Sequence, residues 1–149
     1  MGSGFHGAYV AHMHLMNSVV NPVVRLLLKS PLYRLMPGVM LITVTGRRSG
    51  LSYTTPVQYV LDEPQVHVLT RENRRWWRNV RGGAPVTLYL RGQSRQGWAG
   101  AFRPSADEAA PALAAFRGSS LEKAVGRLGS QAVIVVIDLD SEGHSRSDA

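Results

Sequence analysis

The arrangement of hydrophobic and polar residues changes from a helical to a strand pattern near residue 38. Between Val19 and Leu35, apolar residues recur at roughly helical spacing. Ser30 followed by Pro31 is typical of a helix N-cap and a first-turn proline. We therefore expect two short N-terminal helices, separated near residue 30.

Beyond residue 38, short runs of branched or alternating apolar residues predict six β-strands. Gly92-Gln93 has the composition of a two-residue hairpin turn between two of them. The connections are mostly short, which favours an antiparallel sheet, and a sheet of this size closes best as a small barrel. The predicted strands cover residues 39–45, 54–61, 65–70, 86–91, 94–102 and 132–139.

Helical segments are predicted in two of the connections. Trp76 to Val80 has the pattern of one or two helical turns. Ser105 with Glu108, and Ser119 with Glu122, have the spacing of capping boxes ahead of segments rich in alanine and leucine. A helical insert is therefore expected before the last strand.

The size and composition are those of one folded domain. The 149 residues are 44% hydrophobic and 18% charged, which excludes disorder for most of the chain. We expect a flexible N-terminus at 1–16, the barrel domain at 17–139 and a polar tail at 140–149. The absence of cysteine excludes disulfides and thiolate metal sites. Neither a membrane-spanning run nor a secretory signal is found, so a cytoplasmic location is expected.

Positive charge is concentrated in the barrel segment. The formal net charge is +7, and residues 47–103 alone hold ten arginines against three acidic residues. The arginine side chain presents a planar fork that fits phosphates and carboxylates. This surplus favours an anionic partner, either a nucleic acid, a membrane surface or a phosphorylated small molecule. An ordinary solvated basic face is the alternative.

The first motif is the glycine-flanked turn Gly46-Arg47-Arg48-Ser49-Gly50 between two predicted strands. Its glycines permit positive φ, so that backbone N–H groups can converge on an anion beside two guanidinium groups and a hydroxyl. It lacks the ending of a nucleotide-binding Walker loop. An ordinary hairpin with exposed arginines remains equally compatible with the sequence.

The second motif runs from Arg74 to Gly83 and interleaves arginines with two adjacent tryptophans. On a helix, Arg74, Arg78 and Arg81 would share one face, with Trp77 on another. One tryptophan is expected in the core, and its neighbour is expected to be partly exposed or to line a cavity. Stacking on nucleobases is an alternative, since aromatics next to arginine also bind single strands.

Several kinds of catalytic site lack support in the barrel segment. Its acidic residues form no pair suited to hydrolysis, and no histidine cluster suggests a metal. His67, its one histidine, is interpreted as a hydrogen-bonded residue of a strand rather than a catalytic group. A reaction carried by a bound organic cofactor stays open, because the protein then supplies only binding and orientation.

Three ordered motifs together resemble the deazaflavin-dependent nitroreductase family. They are residues 43–50 (TVTGRRSG), 53–60 (YTTPVQYV) and 76–86 (WWRNVRGGAPV). Members of that family are oxidoreductases that use coenzyme F-420 on a six-stranded antiparallel split β-barrel, related to the split barrels that bind flavin mononucleotide (FMN). The resemblance covers about residues 17–139 and implies that fold, with F-420 favoured over FMN as the cofactor.

The resemblance also implies roles for individual residues. The glycine-flanked turn would hold the cofactor's phosphate and acidic tail, the following strand would pass along the deazaflavin ring, and the tryptophan segment would close over it. Tyr59 matches a strand tyrosine near the substrate pocket of some members and is the candidate catalytic residue. The implied cofactor-binding residues are Arg47, Arg48, Ser49, Pro56, Val57, Gln58, Leu69, Thr70, Arg71, Trp77, Arg78 and Asn79.

The expected function is hydride transfer between reduced F-420 and an apolar acceptor such as a quinone or nitro compound. Residues 104–130 contain no tyrosine, whereas the nitroreductase pocket draws several from this region. The alternative is a non-catalytic split barrel that binds a cofactor, haem or fatty acid; nucleic-acid binding is disfavoured. A homodimer is expected by analogy with related barrels. The segment from Val19 to Met36 combines an apolar stripe with basic residues and is a candidate for peripheral contact with the inner membrane face. The favoured alternative is an amphipathic helix that caps one end of the barrel.

Overall fold

A computed structural model describes residues 38–141 as a closed β-barrel with a helical insert. The predicted N-terminal helices and their membrane contact lie outside the described residues. The strands are β1 (Val39–Thr45), β2 (Ser52–Asp62), β3 (Gln65–Arg71), β4 (Ala84–Leu90), β5 (Gln93–Phe102) and β6 (Ala132–Leu139). The helices are α1 (Ala110–Phe116) and α2 (Ser120–Leu128), and 3-10 turns cover Trp76–Val80, Asp107–Ala109 and Gly129–Gln131. The predicted mainly β barrel with a helical insert before its last strand is confirmed.

The strands close in the order β1-β2-β3-β6-β5-β4, and β4 pairs back with β1. All neighbouring strands are antiparallel. The connections β1–β2, β3–β4 and β5–β6 therefore lie at one end of the barrel, which we call the upper end. The β2–β3 and β4–β5 connections lie at the other, the lower end. This alternation brings the two motifs of the sequence, residues 46–50 and 74–83, to the same end.

Side chains of alternate residues build two separate cores. The barrel interior is filled by inward-facing residues of all six strands, such as Ile42 and Leu88. On the outside, α1 and α2 cover β3 and β6, and Phe116 packs there with Leu69 and Ile134. Both faces of β3 and β6 are therefore buried, which explains their nearly continuous apolar sequences.

Two local predictions are corrected by the structure. The β4–β5 turn consists of Arg91 and Gly92, one residue before the predicted Gly92-Gln93, with φ of 50° and 78°. A two-residue hairpin turn of this type needs positive φ at both positions, and arginine adopts it here although glycine is the usual choice. Ser105 does not cap a helix, because the first helical turn begins at Asp107 with Ala106 before it.

The cap at Ser119 is confirmed in a modified form. Its hydroxyl accepts a hydrogen bond from the Leu121 N–H (3.2 Å) at the start of α2. Glu122 accepts from the Gly118 N–H at 2.8 Å, instead of from Ser119 as a standard capping box would require. The Ser119 N–H donates to the Phe116 carbonyl, so it is already satisfied by α1.

His67 is fully buried on the outer face of β3, where its ring meets Phe116 edge-to-face at 6.4 Å between centroids. Neither ring nitrogen has a hydrogen-bond partner within the described residues, so the interpretation as a hydrogen-bonded histidine is wrong. The Asp62 carboxylate lies 4.0 Å from Nε2, which is beyond hydrogen-bond distance. Burial lowers the pKa of His67, against the opposing charges of Asp62 and Asp138.

Candidate functional site

The β1–β2 turn at the upper end is held by its own hydrogen bonds. The Gly46 N–H donates to the Leu51 carbonyl (2.7 Å), and the Gly50 N–H donates to the Gly46 carbonyl (2.9 Å). The Ser49 hydroxyl accepts from the Leu51 N–H and lies 3.2 Å from the Tyr53 hydroxyl. A Cβ atom at Gly46 would lie 2.6 Å from Ser49 Oγ and 2.8 Å from Tyr53 Cε2, so a larger residue here would displace both of these side chains.

These hydrogen bonds restrict the expected backbone anion site. The N–H groups of Gly46, Gly50 and Leu51 donate inside the turn, and that of Arg47 donates to Asn79 Oδ1 at 3.1 Å. Within the turn, the amides of Arg48 and Ser49 are the two that find no partner among residues 38–141. Attraction for an anion here therefore comes mainly from guanidinium side chains.

Asn79 joins the two sequence motifs. Its Oδ1 accepts from the Arg47 N–H, and its Nδ2 donates to the Trp76 carbonyl at 3.1 Å. One amide side chain thus fixes the glycine-flanked turn to the 3-10 turn that carries both tryptophans. The structure brings together three predicted cofactor-binding segments, since Arg71 at the end of β3 leads directly into this region.

Trp77 anchors the tryptophan segment in the barrel. Its ring is buried, and Nε1 donates to the carbonyls of Arg71 (3.1 Å) and Glu72 (3.3 Å). The guanidinium carbons of Arg78 and Arg81 lie 5.7 and 5.0 Å from the Trp77 ring centroid. These arginines were expected on a different face from Trp77. Arg81 follows the 3-10 turn in an extended conformation, so helical spacing does not apply to it, and the long side chains of both arginines reach the ring.

The neighbouring Trp76 is half-buried and packs against the barrel core. The two tryptophans thus have the different environments expected for adjacent aromatic residues. Trp76 and Tyr53 contribute to the site although neither was predicted as a site residue. The signal for Tyr53 was present, because a tight turn over residues 46–50 places the start of the next strand beside Ser49.

The upper end carries a cluster of positive charge, and the Glu72 carboxylate beside it is already paired. Glu72 is engaged with Arg103 at 2.8 Å, and this hydrogen bond holds the Glu72 pKa below its usual range, with further help from the charges of Arg78 and Arg81. Seven further exposed arginines, two in the glycine-flanked turn and five from Arg71 to Arg81, have no ion-pair partner within the described part of the chain. We call them the upper arginines: Arg47, Arg48, Arg71, Arg74, Arg75, Arg78 and Arg81.

The predicted ring-binding residues of β2 and β3 divide between the two faces of the sheet. Val57 and Tyr59 belong to the barrel interior. Between them on β2, Pro56 and Gln58 face outward, and Gln58 pairs with Leu69, which lies on the outer face of β3. Thr70, the next residue, is buried. Tyr59 is only 7% exposed, so its side chain is not placed beside Pro56 and Gln58.

Other kinds of site are not formed by the described residues. Within residues 38–141, no three His, Asp or Glu side chains gather as a metal site would require. No helix in this part of the chain has the length and hydrophobicity needed to cross a membrane.

The sequence profile of the F420H(2)-dependent quinone reductase family matches residues 28–119. This chain belongs to that family. Its members are oxidoreductases that use coenzyme F-420 as their cofactor. The upper arginines suit such an anionic cofactor, because they leave positive charge unpaired around two free backbone amides. The predicted membership of a family of F-420-dependent reductases is confirmed, and nitro compounds as acceptors stay a prediction.

Solved structures share the fold at low sequence identity. The heme storage protein HutZ from Vibrio cholerae is 11% identical with a TM-score of 0.55, covering 73% of this chain and 86% of HutZ. A structure titled as a domain-swapped dimer is 14% identical with a TM-score of 0.52, covering 82% of this chain and 98% of its own. A Clostridium acetobutylicum protein of the pyridoxinephosphate oxidase family is 10% identical with a TM-score of 0.52, covering 71% and 78%. No curated protein matches the sequence.

Proposed function

We propose that this protein reduces an apolar acceptor, of which a quinone is the favoured example, with a hydride from reduced F-420. Family membership supports the cofactor and the reaction class. The observation that carries the proposal is the unpaired positive charge of the upper arginines beside the outward-facing residues of β2. The upper arginines would hold the anionic part of the cofactor, and the outward-facing residues of β2 would contact its ring.

The phosphate and acidic tail are assigned to the glycine-flanked turn. Arg47 and Arg48 present exposed guanidinium groups there, and the amides of Arg48 and Ser49 point to no partner within the described residues. Arginine forms bidentate hydrogen bonds with phosphate and carboxylate, which fixes orientation as well as charge. Asn79 holds the turn in place, and Arg71 and Arg78 extend the positive surface.

The ring is assigned to the outer surface of β2 at Pro56 and Gln58. Leu69, the cross-strand partner of Gln58, is covered by the helical insert, and Thr70 and Trp77 are buried, so these three predicted residues would support the surface from behind. When bound, the reduced deazaflavin ring supplies the hydride from its ring carbon. The protein orients the ring and excludes water from one face, and positioning of this kind contributes much of a rate enhancement. Val57 takes part through its backbone only, because its side chain lies in the barrel interior.

Protonation of the reduced acceptor is assigned to solvent. Tyr59 stays a predicted proton donor, but its burial in the barrel core separates it from the outer surface of β2. We expect Tyr59→Phe to keep the turnover number within a few-fold, measured with a soluble quinone. Loss of about a hundredfold or more, with an unchanged melting temperature, would assign the proton to Tyr59 instead.

Two measurements test the proposal. Spectroscopic titration is expected to show saturable F-420 binding, and mixing reduced F-420 with a quinone panel is expected to show its oxidation by the protein. Binding without oxidation would favour the alternative, a split barrel that only sequesters a ligand. Absence of binding at micromolar protein would reject the assignment. The same panel extended to nitro compounds tests the other predicted acceptor class, and sedimentation tests the predicted homodimer.

A further inference from the structure

A groove of about 450 Å³ lies on the outside of the barrel, over β5 and β6. It is bounded by Gly83, between the 3-10 turn Trp76–Val80 and β4, and by Glu108, at the start of the helical insert. Trp98 lies in its wall and is 49% exposed as a residue, the largest exposure of any large hydrophobic residue in residues 38–141. None of the proposed F-420-binding residues lines the groove.

Two glycines give the groove its shape. Trp98, Gly100 and Phe102 follow one another along the outer face of β5, so that the missing side chain at Gly100 leaves a depression between two aromatic rings. A Cβ atom at Gly100 would lie 3.0 Å from the Phe102 ring. A Cβ atom at Gly83, where φ is 100°, would lie 2.6 Å from Trp98 Nε1. The Trp98 ring is thus seated against bare backbone, which holds it in place.

The groove is acidic although the protein is basic. Asp138 on β6 is the direct cross-strand partner of Trp98, so its carboxylate lies next to the indole ring. Its Oδ1 accepts a hydrogen bond from Gln65 Nε2 at 2.8 Å, which orients the carboxylate. Glu108 supplies a second carboxylate at the rim, and no arginine, lysine or histidine is among the lining residues.

We propose that this groove binds a small planar aromatic cation, with its ring stacked on Trp98 and its positive charge beside Asp138 and Glu108. An exposed tryptophan face is the best aromatic partner for a cation. The volume falls within the range of small-ligand pockets and accommodates a three-ring compound. The charge of the lining disfavours anions, including F-420, so this ligand is distinct from the reductase cofactor.

Proflavine, a fluorescent three-ring cation, is the probe of choice. We expect saturable binding to the full-length protein by calorimetry, together with a shift of the Trp98 indole N–H signal in nuclear magnetic resonance spectra. Acridone, a neutral ring of the same size, and 9-anthracenecarboxylate, an anionic one, are the matched ligands and are expected to bind at least about tenfold more weakly.

Variants locate the probe. Trp98→Ala should weaken proflavine binding about tenfold or more, and the double variant Glu108→Gln/Asp138→Asn should weaken it several-fold while retaining the acceptor for Gln65. Asp107→Asn removes a neighbouring exposed carboxylate outside the groove and should leave affinity unchanged. Circular dichroism melting curves show that each variant is folded, and Trp98→Phe retains an aromatic ring if Trp98→Ala does not fold.

Three results would overturn the proposal. They are absence of saturable proflavine binding, affinity unaffected by Trp98→Ala or Trp98→Phe, and equal affinity for the neutral or anionic ring. A second copy of the chain could instead occupy the groove and exclude proflavine. Sedimentation at the concentrations of the titration detects such a dimer. This outcome would also reject the small-molecule site.

Discussion

Arginines lie at both ends of the barrel, but the two ends differ in whether the guanidinium groups form ion pairs. At the lower end, Arg95 forms two hydrogen bonds with Glu63, and this pair, with the added charge of Arg91, lowers the pKa of Glu63. At the upper end, the seven upper arginines have no ion-pair partner within residues 38–141. The charge of Arg95 at the lower end is therefore paired within the protein, and Arg91 lies near the same carboxylate. The upper end leaves like charges close together, and such repulsion is relieved when an anion binds.

The largest effect is expected from Trp77, which supports the upper end. Trp77→Ala removes a buried ring and both hydrogen bonds of its Nε1, and should lower the free energy of unfolding by about 3–5 kcal/mol. Chemical denaturation measures the change. Trp98→Ala is the matched control, since that ring is half exposed, and it should cost distinctly less. Equal losses would mean that the upper end does not depend on the Trp77 anchor.

Arg48→Gln separates the two ends by ligand binding. Loss of a charge-assisted hydrogen bond worth roughly 1.5–3 kcal/mol should weaken F-420 binding about ten- to hundredfold. The melting temperature without cofactor should barely change, because Arg48 is exposed. Arg91→Gln at the lower end is the control and should leave F-420 affinity unchanged. An unaltered dissociation constant for Arg48→Gln would show that the turn is an ordinary solvated hairpin.

Asn79→Ala tests the bridge between the two motifs of the upper end. It removes the acceptor of the Arg47 N–H and the donor to the Trp76 carbonyl, and should cost about 0.5–1.5 kcal/mol of stability. F-420 affinity should also fall a few-fold, as the turn is less well positioned. Asn73→Ala changes an exposed asparagine of the same connection and should have no effect on either quantity. Identical titrations for both variants would argue against positioning by Asn79.

The smallest expected effect is that of His67 on the free energy of unfolding, and it is seen only at acidic pH. Its folded-state pKa lies below the ordinary value of 6.5, so the unfolded chain binds the proton more readily. Stability should therefore be flat above about pH 6.5 and decrease as the pH falls toward the folded-state pKa. Denaturation curves of the protein and of His67→Leu between about pH 5 and 8 measure it. A variant with the same pH slope would assign the dependence to other groups.

The fold was largely predictable from the sequence because the strands are short and locally patterned. The limits of β1 were predicted correctly, and those of β2 and β3 to within two residues. The β4–β5 turn was misplaced because Arg91 adopts positive φ, which no local preference indicates. Alternation along β2 implies that Tyr59 faces the opposite side from Gln58, and it does lie in the barrel interior. The family resemblance instead suggested a place near the substrate pocket and did not consider which face of the strand the side chain occupies.

The contacts that distinguish the two ends were not accessible from the sequence. Arg95 meets Glu63 across 32 residues, because of how the β2–β3 and β4–β5 connections meet at the lower end. The Arg47 amide meets Asn79 across the same separation. Composition shows that arginine is abundant, but only the register of the strands determines which guanidinium groups obtain a carboxylate. The roles of the individual cofactor-binding residues remain predictions.

The shortest seam of the barrel has a consequence for its motions. β1 pairs with β2 at seven positions but with β4 at only three, Leu41–Tyr89, Ile42–Leu88 and Thr43–Thr87. We expect the barrel to open first at the pairing with the fewest residues. Local opening of this kind exposes amides to exchange without global unfolding. Since β1 leads directly into the glycine-flanked turn, a ligand that holds the turn also closes the seam. Amide exchange in β1 and β4 should then slow on ligand binding, while exchange in β3 and β6 stays unchanged. The exchange rates of β1 and β4 would therefore indicate whether a ligand is bound at the turn.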